Sequence, residues 1–272
     1  MASDPTSPNK ILVESVSKSF DVDGRRQLVL DAVDLTVGDG EFVSIIGPSG
    51  CGKSTLLNIV AGLDTPDSGA TSVAGIQGGS SLGQVGYMQQ KDLLLPWRTV
   101  LDNAILGLEL NGVPKRQARS RALELTETFG LDGFENQYPY ALSGGMRQRA
   151  AFLRTMLMDQ EVMLLDEPFG ALDALTRIQM QEWLLKLWES MRKTIVLITH
   201  DMDEAILLSD RVYVLTPRPG RIATILDVNL PRPRNYEQVT EPAFSRLKSR
   251  LLEHLREKKP EKPRFITGDV RL

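Results

Sequence analysis

Cysteine is almost missing: Cys51 is the single one in 272 residues. No internal disulfide framework can form, and a lone thiol fits a reducing compartment. Long apolar runs are lacking too. Nothing approaches the roughly 18 consecutive apolar residues that span a bilayer, and the opening stretch MASDPTSPNK carries no apolar secretory segment. The expectation is a soluble chain that stays in the cytoplasm. Repeat arrays and low-complexity stretches are also absent, since the 22 glycines and 15 prolines are close to ordinary usage. Disorder is therefore expected only at the ends. Nor is there a large charge excess. The formal net charge is −3, so the body of the chain is no nucleic-acid binder by charge. The exception is local: residues 231–272 hold 11 Lys or Arg against 6 Asp or Glu. That tail reads as a solvated amphipathic helix, with a membrane-surface or partner contact as the alternative.

What is present suffices for a sizeable core, at 42% hydrophobic residues. Residues 11–46 alternate short β-rich runs with turn signals: ILVESVSKSF, DVDG, LVLDAVDLTV, GDGE, FVSII. FVSII ends on Gly47, and STLLNIVAGL beyond it has helical spacing at Leu56, Ile59, Val60 and Leu63. From about 100 to 160 the pattern is helical, with Pro114 near one helix start and Gly130 just past its end. VMLLD (162–166) and TIVLIT (194–199) then read as parallel buried strands flanking a crossover helix, and RVYVL and IATILDV add two more. In the tail, Phe244, Leu247, Leu251 and Leu255 mark one further amphipathic helix, and the last dozen residues are expected to be disordered.

The segment GPSGCGKST (47–55) matches G-x-x-x-x-G-K-[ST] between a strand and a helix. Glycines let backbone N–H groups curl around phosphate oxygens, and the helix N-terminus adds its positive dipole end. Lys53 is placed to reach the β and γ phosphates and Ser54 to ligate Mg²⁺. Cys51 occupies an unconstrained position and reads as simply tolerated there, not as a nucleophile; the alternative is that the helix N-terminus lowers its pKa and sensitises the thiol. Two acids end the apolar strand VMLLDEP. Burying carboxylates costs several kcal/mol without compensation, which points to Asp166 as a Mg²⁺ partner and Glu167 as the general base polarising water. His200 ends TIVLIT as Glu167 ends VMLL, so both face the ligand crevice of a parallel sheet. It reads as a γ-phosphate contact, and His254 on the tail helix as structural. A second serine and glycine cluster, LSGGMRQRA (142–150), opens a basic helix whose apolar face is Met146, Ala150, Leu153 and Leu157.

With LSGG joined to these features, residues 11–225 resemble the ATP-binding subunit of an ABC transporter. The resemblance implies an α/β fold: a P-loop ATPase parallel-sheet core, an N-terminal antiparallel β subdomain and a helical insertion subdomain at about 91–160. The ATPase domain would cover 1–230 and the basic helical tail 231–272. It also implies ATP and Mg²⁺ as ligands. The phosphate loop then comprises Gly47, Pro48, Ser49, Gly50, Cys51, Gly52, Lys53, Ser54 and Thr55. Phe20 would stack on adenine. Gln90, selected over Gln89 by the family's spacing to the following proline, would join Ser54 and Asp166 around the metal. Ser143, Gly144, Gly145 and Gln148 match the signature that closes over the nucleotide of a second copy, bound head to tail, and Asp173 matches the loop meeting that copy. Glu167, His200 and Lys53 would carry catalysis.

LLLPWRTVLDNA and LTPRPGRI resemble the importer branch serving nitrate, sulfonates, taurine and pyrimidine thiamine precursors. That implies transmembrane permease subunits as partners, an indirect periplasmic or extracellular solute-binding protein, no nucleic acid, and a place on the cytoplasmic face of the membrane. The apolar cluster Leu93 to Trp97 either packs under its loop or borders the groove for a cytoplasmic permease helix. A soluble ABC ATPase uncoupled from transport is the rival reading.

Overall fold

The computed structural model describes residues 9–77 and 81–256. In chain order the elements are β1 (Asn9–Val22), β2 (Arg25–Gly38), β3 (Phe42–Ile46), α1 (Lys53–Val60), β4 (Ser68–Val73), β5 (Ile76–Gln77), β6 (Val85–Met88), α2 (Val100–Ala104), α3 (Leu106–Leu110), α4 (Lys115–Thr126) and α5 (Gly144–Leu157). They continue with β7 (Val162–Asp166), α6 (Ala174–Met191), β8 (Thr194–Ile198), α7 (Met202–Leu208), β9 (Arg211–Leu215), β10 (Ile222–Asp227) and α8 (Pro242–Arg256).

The strands form two sheets. One is antiparallel, in the order β2-β1-β4-β5; the other runs β10-β9-β3-β8-β7-β6. Within the second, β3, β6, β7, β8 and β9 pair in parallel and only the edge strand β10 is antiparallel. Every residue of β3, β7 and β8 is buried, as strands covered on both faces must be. Side-chain alternation then sorts them into two cores. Val43, Ile45, Val162 and Leu164 pack with α1 and the antiparallel sheet. Phe42, Met163, Leu165 and Leu197 point the other way, onto α5, α6 and α7.

The strands β4 and β5 and the short β6 went unread in the sequence, because β4 is half exposed and Gly- and Ser-bearing (SGATSV), with little apolar signal. Leu63, read as part of the first helix, lies beyond its end and is exposed. The helical region runs from α2 to α5, and Gly130 has φ +57° just after α4.

The tail departs from the expectation of a solvated helix. Phe244 and Leu251 of α8 are fully buried, and Leu247 and Leu255 pack partly on the core beside α7. Arg234, ahead of α8, is itself buried. Its guanidinium donates to the carbonyls of Ile206 (3.2 Å), Leu207 (3.3 Å) and Ser209 (2.6 Å) at the end of α7, and to Val228 (3.0 Å) and Leu230 (3.3 Å). The first three are carbonyls at a helix end, which the helix leaves without partners. The composition change near 230 is therefore no break in the fold. Phe244→Ala is expected to lower stability by about 3–5 kcal/mol, read as a shift in the urea midpoint at unchanged slope. The last dozen residues, expected to be disordered, lie outside the described residues.

Candidate nucleotide site

The loop between β3 and α1 is shaped by its glycines. Gly50 and Gly52 take φ +75° and +107°, a region that favours glycine. A Cβ on Gly52 would sit 2.6 Å from Leu30 Cδ2. No side chain caps the first turn of α1, and that turn holds no acid, so its N–H groups stay available for an anion. Lys53 Nζ donates to the carbonyls of Gly47 (2.9 Å) and Pro48 (3.1 Å), which folds the ammonium over the loop. The loop borders a cavity of about 210 Å³, lined by residues 49, 50 and 52–55 together with Val29, Gln90, Glu167 and Arg218.

Of the two readings of Cys51, the tolerated residue fits and the sensitised thiol does not. Its side chain is buried, and burial pushes the thiol up from its ordinary value, outweighing Lys53 and the helix end. A folded chain with its thiol protonated and covered resists alkylation.

The two acids part company in the tertiary structure. Asp166 ends β7 and is 2% exposed. Burial raises its pKa, the neighbouring Glu167 charge raises it further, and the Ser54 hydroxyl beside it acts the other way. Between the unfolded and the raised folded value the native state takes up a proton, so this group's contribution falls as pH climbs through that window. At neutral pH the charge is a standing cost. Asp166→Asn is therefore expected to raise the melting temperature of the nucleotide-free chain, as checked by a thermal melt at pH 7, while abolishing Mg²⁺-dependent turnover.

Glu167 lies one residue further, at φ +49°, with its N–H donating to Ile198 O at 2.9 Å. This left-handed turn is strained for a non-glycine residue, and it swings the carboxylate off the strand and into the cavity. Two side chains converge on its Oε2. Gln90 Nε2 donates to it at 3.2 Å, and His200 Nδ1 stands 3.6 Å away at the end of β8. Of the adjacent glutamines, Gln90 is the one lining the cavity. Among the described residues no group of three or more His, Cys, Asp or Glu is arranged to hold a metal. The donors at hand are a hydroxyl, an amide and one buried carboxylate.

The signature cluster stands apart. Ser143 caps α5, accepting from Met146 N at 3.2 Å. It and Gly144 are exposed, yet none of residues 142–150 lines the cavity. Gly145 packs on the loop of residues 171–173, where an added Cβ would meet Ala171 O at 3.3 Å. Asp173 of that loop caps α6, and the Thr176 N–H it accepts holds its carboxyl below the usual range. Gln148, read as a nucleotide contact, is buried and turned inward: its Nε2 donates to Glu167 O at 3.2 Å. Its visible work is to tie the signature helix to the backbone of the acid.

Phe20 is exposed on β1, opposite Gln27 in the β1–β2 register, with Lys18 Nζ 5.3 Å from its ring centroid. Sequence reading missed Arg218 in the cavity wall. The only signal was its setting in LTPRPGRI. It also missed Arg147 and Arg154 of α5, which hold the segment after Gln90. Arg147 pairs with Asp92 at 3.1 Å, and Arg154 donates to the carbonyls of Asp92 and Leu93, each at 2.8 Å.

The family described as ABC transporter matches residues 30–170, from β2 through the phosphate loop and signature to the strand acids. The chain belongs to the ABC transporter family. This cassette is 41% identical to an aliphatic sulfonates import ATP-binding protein of Bacillus cereus, over 89% of this chain and 94% of that one. It is 48% identical to a formylaminopyrimidine import ATP-binding protein of Halalkalibacterium halodurans, over 70% of this chain and 74% of that one. Among solved structures it resembles the dimeric structure of MJ0796, a bacterial ABC transporter cassette, with a TM-score of 0.74 at 32% identity. That match covers 81% of this chain and 99% of the other. The cassette's activity is ATP binding and hydrolysis.

Proposed function

We propose that this cassette is the ATP-hydrolysing subunit of an importer, working as a head-to-tail pair beneath a separate permease. The observation that carries the hydrolytic part is the convergence of Gln90 and His200 on Glu167 at the rim of the phosphate-loop cavity. Lys53 and the loop N–H groups hold the polyphosphate. Glu167 takes the proton of the attacking water, and His200, largely exposed beside it, faces the γ-phosphate. Phe20 supplies an exposed ring for adenine. The residues fit a divalent cation: Asp166 is buried with its charge undercompensated, and the Ser54 hydroxyl lies beside it. Ser54, Asp166 and the amide oxygen of Gln90 would hold Mg²⁺, which when bound neutralises charge on the phosphate oxygens.

The pairing rests on the placement of Ser143 and Gly144, exposed and outside their own chain's cavity. In the pair they close over the nucleotide held by the partner's loop, and Asp173 lies at the contact between copies. ATP's preference for the closed pair then shifts the permease between its two states. Importer coupling is supported by the names of the sulfonate and formylaminopyrimidine relatives. No helix among the described residues is long and apolar enough to cross a membrane, and in this reading the permease is a separate chain. Leu93 and Trp97, which follow Gln90 and are exposed while Leu94 is buried, form the surface for its cytoplasmic helix. The cassette sits on the cytoplasmic face of the membrane, and a solute-binding protein acts on the far side.

The test is uptake by cells lacking the gene. Labelled alkanesulfonate, taurine, nitrate and formylaminopyrimidine are compared. Import of one of them should be lost and then restored by the wild-type chain but not by Glu167→Gln. An active ATPase that associates with no membrane fraction and affects no uptake would identify a soluble ABC ATPase instead.

A further inference from the structure

Arg218 is the one charged cavity-lining residue to which the sequence assigned no role. It sits in the turn between β9 and β10, and that turn is stapled to the phosphate loop. Gly220 N donates to Val29 O at 2.8 Å, and Asp31 N donates to Gly220 O at 3.0 Å, which joins the turn to β2. Thr216 Oγ1 bridges the turn's two limbs, donating to Pro219 O (3.0 Å) and accepting from Arg221 N (3.0 Å). Only glycine fits at position 220, since a Cβ there would meet Cys51 O at 2.2 Å. The guanidinium is thereby aimed. Nε donates to Gly50 O at 2.9 Å and Nη1 to Gln27 Oε1 at 3.1 Å. Gln27 is the register partner of Phe20, so Arg218 spans from the adenine side of the site to the phosphate loop. Its Nη2 has no hydrogen-bond partner among the described residues.

We propose that Arg218 is a nucleotide-binding residue: it braces Gly50 with Nε and donates through Nη2 to the polyphosphate of bound ATP or ADP. The proposal rests on reading the cavity as the nucleotide site. Arg218 gives that cavity a second fixed cation besides Lys53, against one lining acid, Glu167. Such a balance suits a polyphosphate and a planar donor fork suits its oxygens.

The test compares the full-length wild-type chain with Arg218→Gln and Arg218→Lys by calorimetric titration of ATP and of ADP, with steady-state ATPase and a melt of the nucleotide-free protein. The glutamine variant should bind both nucleotides roughly tenfold more weakly, the loss of one charge-assisted hydrogen bond. Its KM should rise while kcat at saturation stays within about twofold, and the nucleotide-free melting temperature should fall only slightly, from the lost bonds to Gly50 and Gln27; the lysine variant should recover part of the affinity without restoring the melting temperature. Glutamine-variant affinities within twofold of wild type would overturn the assignment. So would equal losses of affinity and melting temperature in both variants, which would make Arg218 a brace of the loop alone. If the wild-type chain binds neither nucleotide, the reading of the cavity itself fails, whatever the variants do.

Discussion

Glu167→Gln is expected to cut steady-state ATP hydrolysis by roughly 10²–10⁴-fold, the usual scale for removing a general base. Binding should survive. The substitution preserves shape, the replacement amide oxygen still accepts from Gln90 Nε2, and the strained backbone at residue 167 is fixed by its own N–H bond to Ile198 O and by Gln148 on its carbonyl. What disappears is the proton acceptor beside His200. If nucleotide closes the proposed pair and hydrolysis reopens it, the variant should accumulate as an ATP-bound dimer, seen by size exclusion with ATP and absent with ADP. A variant that turns over ATP at the wild-type rate would remove Glu167 from the role of base.

The second large effect is expected at Ser143, far from that acid in sequence and outside its cavity. Ser143→Arg should abolish hydrolysis while leaving ATP binding by the monomer nearly intact. The side chain is exposed at the start of α5, so an arginine there disturbs no core. In the proposed pair it would collide with, or displace, the nucleotide held by the second copy. The local cost is loss of one cap, typically about 0.5–2 kcal/mol, which Ser143→Ala reproduces without the bulk. Titration of ATP on the monomer and ATPase at high protein concentration separate the two effects. Loss of monomer binding in the arginine variant would argue against a shared site, and full activity would remove the signature from catalysis altogether.

These expectations were legible to different degrees in the sequence. The phosphate loop was readable because its chemistry is local: consecutive backbone N–H groups, two left-handed glycines and a lysine within nine residues. The buried strands were readable from their apolar runs, and the two acids and His200 from the shared logic of strand ends. Local reading failed where the outcome depended on a balance between distant groups. Cys51 sits at a helix start that favours a thiolate, yet burial under the β9–β10 turn and β2 decides its protonation. Gln148 belongs to a contiguous motif, yet its amide faces inward, where the carbonyl of Glu167 just beyond β7 accepts from it.

The sequence by itself determined that this chain carries an ATPase of the ABC type with a strand-helix phosphate loop, two strand-end acids and a detached serine-glycine cluster, since each is a pattern of neighbouring residues. Only the tertiary structure decided that Gln90 and His200 meet on one oxygen of Glu167, that the basic tail docks through Phe244 and Leu251, and that Arg218 reaches the phosphate loop. Those outcomes depend on strand order and on competition between burial and charge, and neither is written in any single stretch of the chain.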